Sequence, residues 1–367
     1  MKILQVLFHL SPGGAERFVV DLSNELAKTN DVTLMALKED SSNPEVSLFY
    51  KFALSKRVRY INVGLSSTSY SPFTMWKVYK AIKTEHPDIV HMHTGGIPKF
   101  CYLANLLLGR KIRFIQTIHN DLDRGYSTWL YDFVHYTLGR NGLLRFVAIS
   151  ETNYRALVKR YPNTISTYIV NGRAPMMPTS TFNEVKKEIY DLKPTKETIV
   201  ILHVARCNVQ KNQTLLIQSF NELVKNNRDV ILLIIGAGFD SELGKSLKTI
   251  SKQNIHFLGT RKNICDYMLN ADLFVLSSNF EGMPITVIEA LMSGVPVVST
   301  PVCGSIDAID GENGEISADF TKASFVATLN KVLDNIHKYQ IFAKEKRNEG
   351  LYTIKSCAEK YLQFYKQ

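Results

Sequence analysis

Short apolar runs alternate with amphipathic stretches along the whole chain. The run from Lys2 to Phe8 has the pattern of a strand covered on both faces. It leads through Ser11-Pro-Gly-Gly14 into a stretch with Phe18, Val19, Leu22 and Leu26 at helical spacing. Further strand patterns begin at Val32, Arg59, Asp88, Arg113 and Arg145, with a helix expected over about 71–84. The segment Asn171-Gly-Arg-Ala-Pro-Met-Met-Pro-Thr-Ser180 breaks the rhythm and reads as a linker. Strand patterns then resume at Thr198, Val230, Ile255, Leu273 and Val297. Strands alternating with helices imply parallel sheets with helices on both faces. The pattern predicts an α/β chain of two doubly wound domains, 1–172 and 173–350, facing across a cleft. Ligands of such sheets bind at strand C-terminal ends. The last stretch, 351–367, is amphipathic and predicts a final helix.

The length, 367 residues, is more than one ordinary core fills and agrees with two domains. At 45% hydrophobic and 21% charged residues, the composition is that of a globular protein. No apolar run is long enough to span a bilayer, and the first residues open directly into a strand pattern, so no signal peptide is expected. Five scattered cysteines without a Cys-x-x-Cys pair suit reduced thiols in a cytoplasm and argue against a zinc site or disulfide frame.

Charge changes the picture more. Residues 1–170 hold 21 Lys and Arg against 13 Asp and Glu, whereas residues 171–367 hold 23 against 21. A basic first half fits an anionic partner such as lipid headgroups or a lipid pyrophosphate, and fits a merely solubilising surface equally well. Nucleic acid is not expected, because no interleaved basic-aromatic motif or helix-turn-helix pattern is present.

The chemistry-bearing positions gather where strands end. Glu281 and Glu289 flank Pro284, which suits the first turn of a helix, so that Glu281 lies in the preceding loop and Glu289 inside the helix. Free backbone N–H groups near Ile285 and Thr286 would cradle an anion. A phosphate-bearing ligand with hydroxyls on either side, a nucleotide sugar, uses all three features. Taken alone, such a pair reads more readily as two solvated carboxylates beside an ordinary helix. Gly294-Val-Pro-Val-Val supplies a helix stop and the next strand.

Arg206 and Lys211 follow the strand that begins at Thr198, in a polar loop suited to a diphosphate, although a surface position is the commoner fate of both residue types. Gly13 and Gly14 open the first long helix, and Gly236-Ala-Gly238 follows another strand. Either is a phosphate approach or a tight turn, and neither completes a dinucleotide fingerprint. His119 and Ser150 each close a strand. His91 and His93 alternate along one strand and point to one face, where no third metal ligand accompanies them, so a polar cluster at the strand end, near the cleft between the domains, is expected.

The string from Ser277 to Thr300, together with Pro-Gly-Gly-Ala-Glu-Arg17, resembles the retaining GT-B glycosyltransferases of family 4, and the resemblance covers essentially the whole chain. It implies two Rossmann-like domains, an N-terminal acceptor-binding one and a C-terminal donor-binding one, with the last helix packed back on the first. Arg206 and Lys211 would neutralise the donor diphosphate. Glu289 would hold the ribose hydroxyls and Glu281 a hydroxyl of the sugar. The backbone near Gly282, Met283 and Ile285 would support sugar and phosphate, and Gly13 and Gly14 would lie beside the diphosphate. His119 would position the sugar, and Ser150 would line the cleft. Gly236 would be a donor-side turn, and Arg261, Lys262 and Asn263 would lie near the nucleobase. Ala205 and Asn212 replace two glycines of the family pattern, which puts the loop backbone in question, and Arg173 departs from it after Asn171-Gly, which does the same for an interdomain contact.

The implied activity is metal-independent transfer of a sugar, UDP-linked, to a hydroxyl acceptor by front-face substitution, with no cofactor beyond the nucleotide sugar itself. A lipid-linked glycan in bacterial surface polysaccharide assembly is the acceptor this suggests, at the inner face of the membrane. The loops at 94–100 and 121–128 would choose it. A nucleotide-sugar epimerase of the same fold, or an inactive sugar-nucleotide-binding partner or sensor, is the alternative. A dehydrogenase lacks its glycine fingerprint, and a phosphorylase its pyridoxal lysine setting.

Overall fold

The structure is a computed structural model, and it describes residues 1–38, 47–66, 70–122, 129–347 and 350–367. The chain divides into two compact units, residues 1–174 with 352–367, and residues 175–351.

In the first unit the described strands are β1 (Lys2–Leu7), β2 (Asp31–Lys38), β3 (Val58–Leu65), β4 (Ile89–His93), β5 (Arg113–Ile118), β6 (Leu144–Ala148) and β7 (Ser166–Tyr168). They lie in the order β3-β2-β1-β4-β5-β6-β7, and every pair is parallel. Parallel strands need crossovers, and these are the helices α1 (Gly14–Leu26), α2 (Pro72–Glu85), α3 (Ile97–Leu108), α4 (Trp129–Arg140) and α5 (Glu151–Arg160). The final helix, here α14 (Ile354–Lys366), packs on α1 and buries Tyr361 and Tyr365 completely in this first unit.

The second unit repeats the plan. Its strands are β8 (Ile199–Val204), β9 (Val230–Ile235), β10 (Ile255–Gly259), β11 (Leu273–Leu276), β12 (Val297–Ser299) and β13 (Gly314–Ile316), in the parallel order β10-β9-β8-β11-β12-β13. Around them run α6 (Phe182–Leu192), α7 (Gln213–Lys225), α8 (Glu242–Ile250), α9 (Ile264–Leu269), α10 (Ile285–Ser293), α11 (Cys303–Ala308), α12 (Lys322–Asp334) and α13 (Ile336–Arg347). Strand β9 reads Val-Ile-Leu-Leu-Ile-Ile and is buried at all six positions, as a strand covered on both faces requires. Phe220, Phe325 and Leu223 pack over it from the helices.

Two short strands, β7 and β13, carry too little apolar sequence to stand out in the pattern. Pro284 sits one place earlier than expected, as the N-cap of α10 with ψ 118°, and Ile285 opens the helix. The shift leaves Glu281 in the loop and Glu289 on the fifth residue of the helix.

Arg173 is buried where the chain leaves the first unit. Its guanidinium pairs with Asp21 of α1, whose other oxygen holds Arg17 at 3.1 Å. Its backbone bonds the returning chain on both sides, Arg173 N–H to Tyr352 O at 2.8 Å and Ile354 N–H to Arg173 O at 2.9 Å. The departure from the family pattern thus comes with a carboxylate partner on α1. Asp21→Ala strands that buried guanidinium, and we expect a loss of about 3–5 kcal/mol in urea unfolding of this unit, much of it recovered when Arg173→Leu is added to Asp21→Leu.

Candidate functional site

In a doubly wound sheet the loops that follow neighbouring strands diverge where the strand order reverses, leaving room for a ligand. In the second unit that point lies between β8 and β11. The loop after β8 carries Arg206 and Lys211, and the loop after β11 carries Glu281.

The two loops are stitched together. Asn279 N–H donates to Gln210 O at 2.7 Å, Gln210 Nε2 to Phe280 O at 2.9 Å, and Ser277 Oγ to Lys211 O at 2.9 Å. Lys211 Nζ pairs with Glu281 Oε1, which also accepts from Ser278 Oγ at 2.7 Å. Gln210 Nε2 approaches Glu281 Oε2 at 3.4 Å. Glu281 is only 6% exposed, so its carboxylate is paired before any ligand arrives. Lys211 and Glu281, 70 residues apart, were assigned separate duties from sequence and prove to be partners. Gln210 and Ser278 were missed, because nothing local marks them.

The substitutions in the loop are accommodated in different ways. Asn212 adopts the left-handed conformation at φ 48°, which asparagine tolerates better than most residues, and its side chain caps α7 through Leu215 N–H. Ala205 lies against Gly236, where an added Cβ would stand 1.9 Å from the Ala205 carbonyl oxygen. Gly236 is thereby a close-approach position behind the loop. Arg206 is exposed, and its guanidinium makes no hydrogen bond or ion pair among the described residues. The Arg206 carbonyl accepts from buried Gln213 at 2.9 Å.

Gly282 and Met283 are buried and lead into α10. No side chain caps that helix, and its first bond back to Pro284 O is made by Val287, leaving the Ile285 and Thr286 N–H groups ahead of it. Gly304 of α11 lies directly against this turn: a Cβ there would meet Met283 Cα at 2.4 Å and Gly282 O at 2.5 Å. Sequence reading missed Gly304, although Val-Cys-Gly-Ser305 just after a strand end was a visible signal. Glu289 is 6% exposed on α10.

The nucleobase candidates are engaged within their own unit. Arg261 donates to Tyr267 Oη at 2.9 Å and to Glu188 of α6 at 3.4 Å. Asn263 bonds Thr181 at 2.9 Å, beside Asp266, whose carboxylate gathers Thr179 and Thr181. Lys262 is exposed.

In the first unit, Gly13 is the N-cap of α1 in extended backbone and Gly14 its first residue. The Glu16 carboxylate folds back over Gly13 and accepts from Ser11 Oγ at 3.3 Å, so an anion of the chain itself sits at this helix start. Ser150 is wholly buried and caps α5 by accepting from Asn153 N–H at 3.2 Å. Asn153 in turn donates to Asn120 O at 3.0 Å, fixing the residue after His119.

His119 is partly exposed, with its ring edge-on to Phe18 at 5.5 Å and its Nε2 3.1 Å from His93 Nδ1. His91 and His93 do share a face, as alternation predicts, with ring centroids 4.0 Å apart. They do not line an open surface: both are fully buried against β1, β5 and α14. Among the described residues no three His, Cys, Asp or Glu side chains converge as metal ligands. Of the acceptor loops expected from sequence, 94–100 spans the turn after β4 and the start of α3, and 123–128 lies outside the described residues.

Two parallel α/β units with a polar site at a sheet edge suit a glycosyltransferase, and comparison with known proteins agrees. Residues 185–349 match the family described as glycosyl transferases group 1, and residues 12–173 match Glycosyltransferase Family 4. The crystal structure of Anabaena HepE in complex with UDP and glucose superposes over 100% of this chain and 99% of its own, with a TM-score of 0.80 at 16% identity. The N,N'-diacetylbacillosaminyl-diphospho-undecaprenol alpha-1,3-N-acetylgalactosaminyltransferase of Campylobacter jejuni is 28% identical over 84% of this chain and 85% of that enzyme. An uncharacterised glycosyltransferase of Methanocaldococcus jannaschii, MJ1059, is 24% identical over 73% of this chain, a match that spans 64% of its length. The chain belongs to the family 4, group 1 glycosyltransferases and has the GT-B fold.

The buried His135 and His203 and the half-buried His119 predict an acid response. Burial pushes His119 down to about 3 and His135 and His203 to about 4, against about 6.5 in an unfolded chain. Between those values the unfolded chain binds more protons, so stability is lost as pH falls below 6.5. Urea midpoints measured from pH 7 to pH 4.5 should fall steadily, with each of these rings contributing about one proton to the difference at pH 5.

Proposed function

We propose that this glycosyltransferase moves a sugar, with retention and without a metal, from a UDP-sugar to a hydroxyl of a lipid-diphosphate-linked glycan. The observation that carries the donor reading is the Lys211–Glu281 pair at the sheet's reversal point, beside the uncapped start of α10. Lys211 and exposed Arg206 would meet the charge that develops on the departing diphosphate, Glu281 a sugar hydroxyl, and Glu289 the ribose. His119, neutral at ordinary pH, would position the sugar and is not the nucleophile. In the reaction, the bond from the anomeric carbon to the phosphate oxygen breaks. The acceptor oxygen bonds to that carbon on the same face and passes its proton to the departing phosphate. The HepE complex with UDP and glucose and the diphospho-undecaprenol acceptor in the Campylobacter enzyme's name support the choice of donor and acceptor.

The acceptor reading also draws on an exposed face of the first unit, which we place against an anionic bilayer from the cytoplasmic side. Helices α2, α3 and α4 pack side by side. Outward on α2, Phe73 and Trp76 share a stripe with Lys77, Lys80 and Lys83, opposite buried Val78 and Ile82. On α4 the exposed stripe is Trp129, Phe133, Tyr136 and Arg140, and α3 exposes Leu106 and Leu107 just before Arg110 and Lys111. Aromatic rings and long basic side chains on one face fit the interfacial zone of a bilayer and its negative headgroups. No described helix is long and apolar enough to cross a membrane.

A thermal-shift panel of UDP, GDP, ADP and NADH without added metal should show a rise with UDP that Glu289→Ala removes. Lys211→Ala should lower kcat about 10²–10³-fold. A rise with another base, or a product of inverted anomeric configuration, would overturn the corresponding part of the reading. Both tryptophans of the chain, Trp76 and Trp129, lie on the proposed membrane face. Their emission should therefore shift to the blue with vesicles containing anionic lipid at low salt and return at high salt. An unchanged spectrum at low salt removes the membrane docking.

A further inference from the structure

Two hydrogen-bonded chains diverge from the side-chain amide of Gln5, a wholly buried residue of β1. Gln5 turns its carbonyl Oε1 to His93 Nε2 at 2.6 Å and its amide Nε2 to Tyr365 Oη at 3.5 Å. An amide oxygen only accepts and an amide nitrogen only donates, so His93 carries its proton on Nε2. Burial holds His93 well below the ordinary histidine range and pushes His119 to about 3, so each ring is neutral near pH 7 and has one donor and one acceptor nitrogen. His93 Nδ1 is then an acceptor, and the group 3.1 Å from it, His119 Nε2, is the N–H that donates.

The second chain runs the same way. Tyr365 Oη accepts from Gln5 and donates to His91 Nδ1 at 2.6 Å, and His91 Nε2 donates to Thr117 Oγ1 at 2.7 Å. The Thr117 hydroxyl then donates to Tyr361 Oη at 2.8 Å. Each bond in the network then has one donor and one acceptor. Turning the Gln5 amide over would reverse all of these bonds together, so one buried side chain sets the polarity of both chains.

His119 Nδ1 is the open end: among the described residues it has no hydrogen-bond partner. We infer that Gln5, acting through His93, is a positioning residue that holds His119 as its Nε2–H tautomer, so that Nδ1 accepts a hydrogen bond from a hydroxyl of the donor sugar. The sugar contact rests on the proposed function above, whereas the tautomer does not. A nitrogen that can only accept favours a sugar with a free hydroxyl at that position over its deoxy counterpart.

The test uses the full chain labelled with ¹⁵N-histidine, with imidazole signals assigned through His119→Gln and His93→Gln. Long-range ¹H–¹⁵N spectra should show His119 and His93 protonated on Nε2 and bare on Nδ1. Gln5→Met keeps the size and removes the amide. With its circular dichroism unchanged, it should give an averaged His119 tautomer and raise the donor KM about tenfold, the worth of one hydrogen bond, while inhibition by the nucleoside diphosphate stays the same. A wild-type His119 protonated on Nδ1 overturns the relay. An averaged tautomer in Gln5→Met with an unchanged donor KM overturns the sugar contact and leaves the relay standing. Expected tautomers in a wild type that turns over no nucleotide sugar would overturn the sugar contact together with the proposed function.

Discussion

Every strand described in each sheet runs the same way, and the rest of the architecture follows from that constraint. A parallel strand cannot be joined to its neighbour by a tight hairpin, so each connection crosses a face of the sheet and covers it. With both faces covered, most side chains along the strands are apolar, as β9 shows at all six positions. Polar groups open to a ligand are left to the edge where the strands end, and those inside the first sheet, such as Gln5, His91 and Thr117, are bonded to their neighbours and to α14. In the first unit the order reverses between β1 and β4, and the following turns hold Gly13 and Thr94. In the second it reverses between β8 and β11, whose loops bring Lys211 to Glu281.

The same constraint explains what the sequence discloses. Strands such as β1 and β9 are legible because burial on two faces writes a continuous apolar run. Strands β7 and β13 have only three residues each and are not. The loops that bear Arg206, Lys211, Glu281 and Glu289 were legible through strand ends, a helix start and a family signature. The partnership of Lys211 with Glu281 was not, since it depends on which strands neighbour each other in space. Gly304 and Gln210 escaped for the same reason: each is defined by a contact across the sheet edge. The alternation of His91 and His93 gave their shared face correctly but not its burial, because the covering helix comes from residues 354–366, far along the chain.

Buried polar groups in this protein are held in sets and not one at a time. Asp21 serves Arg17 and Arg173, Glu281 serves Lys211 and Ser278, and Gln5 serves His93 and Tyr365. In a medium of low polarity such a set is stable only when complete, and removing one member leaves the others without water to replace it. That makes each set a strong determinant of one arrangement of its surroundings, here a crossing point, a loop pair and a histidine ring.

The return of α14 to the first unit has a consequence for how the protein is made. Synthesis runs from the N-terminus, so β1, β4 and β5 leave the ribosome long before Tyr361 and Tyr365 exist to cover His91 and Thr117. Residues 175–351, by contrast, are contiguous and can close their core as they emerge. The half of the molecule that is translated first is therefore the half that finishes folding last. In the interval the sheet face around His91 and Thr117 lacks its cover.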